Sequence, residues 1–174
     1  MATLAERLGF TRAGEKDFRS DSGDRREVIW DIDAGLTMHY VDDGISGARF
    51  FEVRGDDVDD VADIAESLSE MLRPLSYDDL LDAHRNATTL DEKKAALLRA
   101  ALGAPPERDD DFAGLIEHAL RSTDGQIREA GLWAATYYGL PDFIPAIQAI
   151  ARDDADLADL AKDVLRGFKE RGLP

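Results

Sequence analysis

The chain has 174 residues, 44% hydrophobic and 33% charged, enough for one folded domain or two small ones. Its 37 acidic against 21 basic residues give a net charge of −16; such a body repels phosphate backbones, so no nucleic-acid partner is expected, and attracts a basic protein. The absence of cysteine excludes disulfides, thiolate metal sites and cysteine nucleophiles, and no apolar run approaches the roughly 20 residues that cross a bilayer, so no membrane partner is expected.

Leu4 and Leu8 share one side of a short helix predicted over residues 2–9. This start carries charge where a signal peptide needs an apolar core, so a cytoplasmic location is expected. Val28, Trp30 and Ile32 then alternate with polar positions, as do Leu36, Met38 and Tyr40, and a third run lies around Phe50, Phe51 and Val53 from Ala48 to Arg54. Turns at Asp33-Ala34-Gly35 and Asp42-Asp43-Gly44 separate the runs, which predicts an antiparallel meander. A further strand falls near Lys16–Ser20. From Asp57 to Leu72, Val58, Val61, Ile64, Ala65, Leu68, Met71 and Leu72 keep helical spacing, with Asp59, Asp60, Asp63, Glu66 and Glu70 on the other side. Residues 1–74 are therefore read as a small layer of sheet and helix.

After Pro74 the pattern is helical. Ser76 and Asp79 form a capping box ahead of a helix to Arg85, and Thr89 and Glu92 form another ahead of a helix to Leu102. Further helices are predicted over Asp109–Arg121, Thr123–Tyr138, 142–151 and 155–169, with Gly139-Leu140-Pro141 as a break. The expected class is α+β: a small antiparallel sheet with a packed helix over 1–74, then an all-α helical-repeat region over 75–174. Both parts are acidic, with 9 basic and 18 acidic residues over 1–74 (−9) and 12 and 19 over 75–174 (−7).

The C-terminal part repeats. Shifted by thirty residues, Ile127 falls on Leu157, Ala130 on Leu160, Gly131 on Ala161, Ala134 on Val164 and Tyr138 on Phe168. A shift of 33 aligns Ala130, Gly131 and Ala135 with Leu97, Leu98 and Leu102. A period of roughly 30–45 residues built of two helices is the mark of an α-solenoid. The stretch from Arg128 to Gly139, followed by Leu140-Pro141-Asp142-Phe143-Ile144-Pro145 and the Asp153-Asp154 turn, resembles a HEAT repeat. That family shows an acidic-x-x-apolar-Arg-x-x-Ala helix, a Gly, a Pro-led helix and an Asp turn. Arg128 stands at the family's Arg, while the next copy has Ala158 there. The resemblance covers about residues 89–170 and implies stacked helix pairs that bind proteins.

Chemistry-bearing motifs are sparse. His39, His84 and His118 stand apart from one another in sequence, so no zinc spacing exists. Asp78, Asp79 and Asp82, and the run Asp109-Asp110-Asp111, are explained by helix capping without a cation, and Asp31-x-Asp33-x-Gly35 by a turn. Phosphate loops, dinucleotide fingerprints and nucleophile elbows are missing. No catalytic, metal or cofactor residue is assigned, and no cofactor is expected.

A binding edge is read instead, with packing of Trp133 and Tyr137 between adjacent repeats as the plainer alternative. On a wheel of about 100° per residue centred on Ile127, Trp133 and Tyr137 fall about 120° and 80° to one side, beside Gln126 and Glu129. The same edge of the following copy carries Asp156, Asp159 and Asp163. Aromatic anchors beside a carboxylate rim suit a basic protein partner. The N-terminal sheet, through Tyr40 or Phe51, is the second candidate surface. The expected function is an acidic protein-binding module, one form of which is an immunity protein that neutralises a basic toxin. The alternative is a HEAT-like enzyme or enzyme accessory protein with a carboxylate site.

Overall fold

A computed structural model describes residue 5 and residues 7–19 and 23–173. The helix predicted over 2–9 falls largely outside the described residues; Ala5 within it is fully buried. The chain divides into two units, 1–74 and 75–174. It belongs to the α+β class: the described residues form a four-stranded antiparallel sheet followed by seven helices. No helix among the described residues is long and apolar enough to cross a membrane.

In the first unit β1 (Thr11–Phe18), β2 (Arg25–Asp33), β3 (Leu36–Asp43) and β4 (Ala48–Arg54) form a meander in the order β1-β2-β3-β4. β1 begins well before the predicted Lys16. It is exposed along almost its whole length, so it lacks the apolar alternation that reveals a half-buried strand. Trp30 pairs with Met38, and Met38 with Val53, so the alternating apolar residues of β2, β3 and β4 share one face. Gly35 makes the first tight turn at φ 80°, where a Cβ would be strained. Gly44 permits a close approach: its N–H reaches the Asp24 carbonyl at 2.7 Å, and a Cβ would meet that oxygen at 2.5 Å.

Helix α1 (Val58–Leu72) starts where the Asp57 carboxylate accepts the N–H groups of Asp59 and Asp60 at 2.9 and 3.3 Å. Its Ile64, Leu68 and Leu72 join Trp30, Met38, Tyr40, Phe51 and Val53 in the core of this unit. The Tyr40 and Phe51 rings lie 5.2 Å apart within that core. Both rings, offered above as a second docking surface, are partly buried and pack against this core.

The second unit contains α2 (Tyr77–Asn86), α3 (Leu90–Gly103), α4 (Asp110–Leu120), α5 (Gly125–Tyr138), a 3₁₀ turn at Pro141–Phe143, α6 (Ile144–Asp153) and α7 (Ala158–Glu170). Both capping boxes form: Ser76 with Asp79, and Thr89 with Glu92. Each even-numbered helix packs on its successor, and α3, α5 and α7 pack in series. Of the residues related by thirty, Gly131 and Ala161, and Ala134 and Val164, are buried in both copies, whereas Ala130 is buried and Leu160 only partly so. Helix α7 starts three residues later than position 155. The Asp154 carboxylate draws the N–H groups of Asp156 and Leu157 into a turn at 3.2 and 3.3 Å. The main core gathers Leu97, Leu98, Ile116, Leu132, Phe143, Ile147 and Phe168, with α5 at its centre.

Candidate functional site

The seven residues assigned to the binding edge fall into two groups. On α5, Gln126 is exposed, and its Oε1 accepts a hydrogen bond from Lys94 Nζ of α3 at 3.4 Å. Trp133 and Tyr137 are partly buried and pack against the main core, and Glu129 is partly buried between them and Gln126. The Gln126 bond shows that this edge of α5 lies toward α3. Asp156, Asp159 and Asp163 are all exposed. Asp159 meets Lys162 at 2.9 Å and Asp163 meets Arg166 at 2.9 Å, each one turn along α7. Lys162 holds the Asp159 carboxyl below the usual carboxylate range by hydrogen bonding and by its charge. Thus the α7 carboxylates carry part of their own counter-charge.

A different acidic surface is uncompensated. Between Gly55 and Leu72 the chain has no Lys or Arg. Asp59, Asp63, Glu66 and Glu70 of α1 fall within about 60° of one another around the helix and opposite Leu68, forming a stripe about 16 Å long. All four are exposed. Among the described residues none of them joins an ion pair. Val58, 80% exposed, and Met71, 48% exposed, flank the stripe near the helix ends. The signal for this stripe was present in the sequence as acidic residues at helical spacing. What the sequence did not show is which side chains pair: among the described residues the ion pairs of the first unit lie on the sheet and leave these four carboxylates out.

Arg128, the residue at the HEAT-like arginine position, is held internally. Its Nε and Nη2 donate to Asp154 Oδ2 at 2.9 and 2.6 Å, and its Nη1 donates to the Ser122 carbonyl at 2.9 Å. Hydrogen bonding from Arg128 keeps the Asp154 carboxyl below its ordinary range, against the opposing effect of burial. Beside this clamp lies an open groove of about 650 Å³, floored by Leu120, Pro145, Ala146, Ala149 and Ile150. Its cations are matched: Arg128 by Asp154, and Arg121 by Glu117 at 3.2 Å.

The acidic runs weighed as cation sites are occupied by helix starts. Asp79 is tied to Ser76, and Asp109 accepts the N–H groups of Asp111 and Phe112. Tyr77 donates to Asp109 and Asp111, and with burial and these two carboxylates around it the phenol is pushed up to about 12. Asp33 accepts its neighbour's N–H at 2.7 Å in the hairpin turn. Among the described residues no group of three or more His, Asp or Glu is arranged to hold a metal ion.

His39, which the sequence singles out only as one of three isolated histidines, lies on β3. The sheet makes it the centre of a polar network on the face opposite α1. His39 Nδ1 lies 2.6 Å from Glu27 Oε1, and His39 Nε2 lies 3.0 Å from Thr37 Oγ1. Arg54 Nη2 stands 3.6 Å from the same Glu27 oxygen and also pairs with Glu52. Glu27 and His39 are buried, at 4% and 6% exposure, and Thr37 is partly buried. Burial raises the Glu27 pKa, but the opposing effects of His39, Arg54 and Arg25 leave it below its ordinary value. The available signal was parity: Glu27, Thr37, His39, Glu52 and Arg54 all sit out of phase with Trp30, Met38 and Val53. His84 and His118 also come within electrostatic reach across α2 and α4. Burial first, then His118 and Lys93, lowers the His84 pKa.

Comparison with known protein families, with curated proteins and with solved structures returned no match.

Proposed function

We propose that this chain is an acidic protein-binding module whose partner presents a basic surface. The observation that carries the reading is the α1 stripe of Asp59, Asp63, Glu66 and Glu70, exposed and without an internal counter-ion among the described residues. Four like charges within about 16 Å repel one another and are relieved when Lys or Arg side chains arrive. The flanking apolar side chains of Val58 and Met71 supply surface that loses water on docking. The Trp133–Tyr137 edge of α5, which lies toward α3, and the Asp156, Asp159 and Asp163 row of α7 are two further surfaces under the same reading. There, partly buried aromatics serve as anchors and the carboxylates steer approach. The HEAT-like repeat pattern supports a binding role for the second unit. An inhibitor such as an immunity protein covering a basic toxin is one member of this class.

The test is comparative capture from the native host. Wild type, a variant with Asp59, Asp63, Glu66 and Glu70 changed to Lys, and a variant with Asp156, Asp159 and Asp163 changed to Lys are used as baits. A stoichiometric basic protein retained by wild type and lost by either reversed bait supports the reading and assigns the surface. A partner retained equally by all three, or one with an acidic surface, overturns it.

A further inference from the structure

We propose that Thr37, His39 and Glu27 form an acyl-transfer relay in which Thr37 is the nucleophile, acting on small activated esters. The proposal is independent of the binding role. Its basis is the atom-by-atom order of the contacts: carboxylate to Nδ1 at 2.6 Å, then Nε2 to hydroxyl at 3.0 Å. A nucleophile, a base and an orienting carboxylate need that order, because a proton fixed on Nδ1 leaves Nε2 free to accept from the hydroxyl.

The fold holds the three rigidly. Thr37 and His39 are two residues apart on β3 and therefore share a face, and Glu27 comes from the adjacent β2. Exposure follows the order such a relay requires. The carboxylate and imidazole side chains are only 5% and 7% exposed, while Thr37, which must meet the substrate, is less deeply buried. Arg54, paired with Glu52, adds a half-exposed guanidinium beside Glu27 on the strand position opposite Thr37. The Thr37 hydroxyl has one competing acceptor, the Arg54 carbonyl at 3.4 Å, which is the longer of its two contacts.

The step balances without a further reagent. Thr37 Oγ1 bonds to the ester carbonyl carbon, and the bond from that carbon to the leaving alkoxide breaks. The hydroxyl proton passes to His39 Nε2 and from there to the departing oxygen. Water then releases the acyl group by the same route in reverse.

The experiment uses p-nitrophenyl acetate with the full chain, reading p-nitrophenolate release and mapping acetylated residues by mass spectrometry. A burst of about one equivalent with the acetyl group on Thr37 is expected. Thr37→Val should abolish the burst and Thr37→Ser should retain it. His39→Gln should slow it by about 10²-fold or more, as loss of a general base does. Circular dichroism checks that each variant is folded. If His39→Gln does not fold, the wild-type burst must still depend on pH through one group that deprotonates, and the Val and Ser pair must still differ. Acetylation confined to lysines or the amino terminus, or a burst unchanged in Thr37→Val, overturns the proposal and leaves the network structural.

Discussion

Leu132→Ala is the sharpest probe of the helical unit. Leu132 is fully buried on α5, a helix packed against α3, α4 and α7. Truncating a buried leucine costs about 2–5 kcal/mol, the larger values arising where the cavity cannot collapse. Collapse is resisted here. At Gly131, next in sequence, an added Cβ would stand 3.0 Å from the Leu120 nitrogen and 3.1 Å from the Ala119 carbonyl carbon, so α4 and α5 are already in backbone contact. A cost of about 3–4 kcal/mol follows, which for a unit of this size lowers the melting temperature by on the order of 15 °C. The assay is urea unfolding followed by tryptophan fluorescence. The chain has two tryptophans, one in each unit, so a Trp30→Phe background makes Trp133 report on the second unit alone. At a slope of about 2 kcal/mol per molar urea the midpoint should fall by about 1.5–2 M. A fall of less than about 0.5 M with an unchanged slope would show that α5 is not the centre of this core.

Three further outcomes are expected. Thr89→Ala removes the oxygen that accepts the Glu92 N–H; it should cost about 1 kcal/mol in urea unfolding, and the Glu92 carboxyl, held at about 2 by the Thr88 and Thr89 N–H and hydroxyl groups, should titrate higher by NMR. His84 has a lowered pKa in the fold, so its contribution is full above the ordinary histidine value near 6.5 and declines as pH falls below it toward the folded value; His84→Gln should flatten stability across that window. Glu27 also has a lowered pKa, so its contribution is full above the ordinary 4.5 and is lost as pH falls toward its folded value; Glu27→Gln should remove this part of the acid limb and leave the neutral-pH slope unchanged.

Local chemistry made much of the fold legible. The two capping boxes, the Asp57 cap and the 3.6-residue spacing of Leu68 and its neighbours are properties of short segments, and each element formed where they stand. β1 was only partly readable because a solvent-exposed edge strand has no buried face to impose alternation. The start of α7 moved because Asp154 can cap a turn as readily as it can enter a helix. The Glu27–His39–Thr37 network was hidden for a different reason: it depends on the β2–β3 register, which joins residues 12 apart. The wheel centred on Ile127 also understated how widely α5 is buried, since Leu132 is enclosed as fully as Ala134. Neighbours on three sides enclose a helix beyond one amphipathic stripe.

The central claim, that carboxylates recruit a basic protein, is tested most directly by the association rate of the captured partner measured against salt. Raising ionic strength from about 0.01 M to about 0.15 M shortens the screening length from about 30 Å to about 8 Å. The account predicts that the wild-type association rate falls by about tenfold or more over this range while the dissociation rate changes little. It also predicts that Lys at positions 59, 63, 66 and 70 removes most of that dependence. An association rate that is flat in salt, or that rises with it, would contradict the claim.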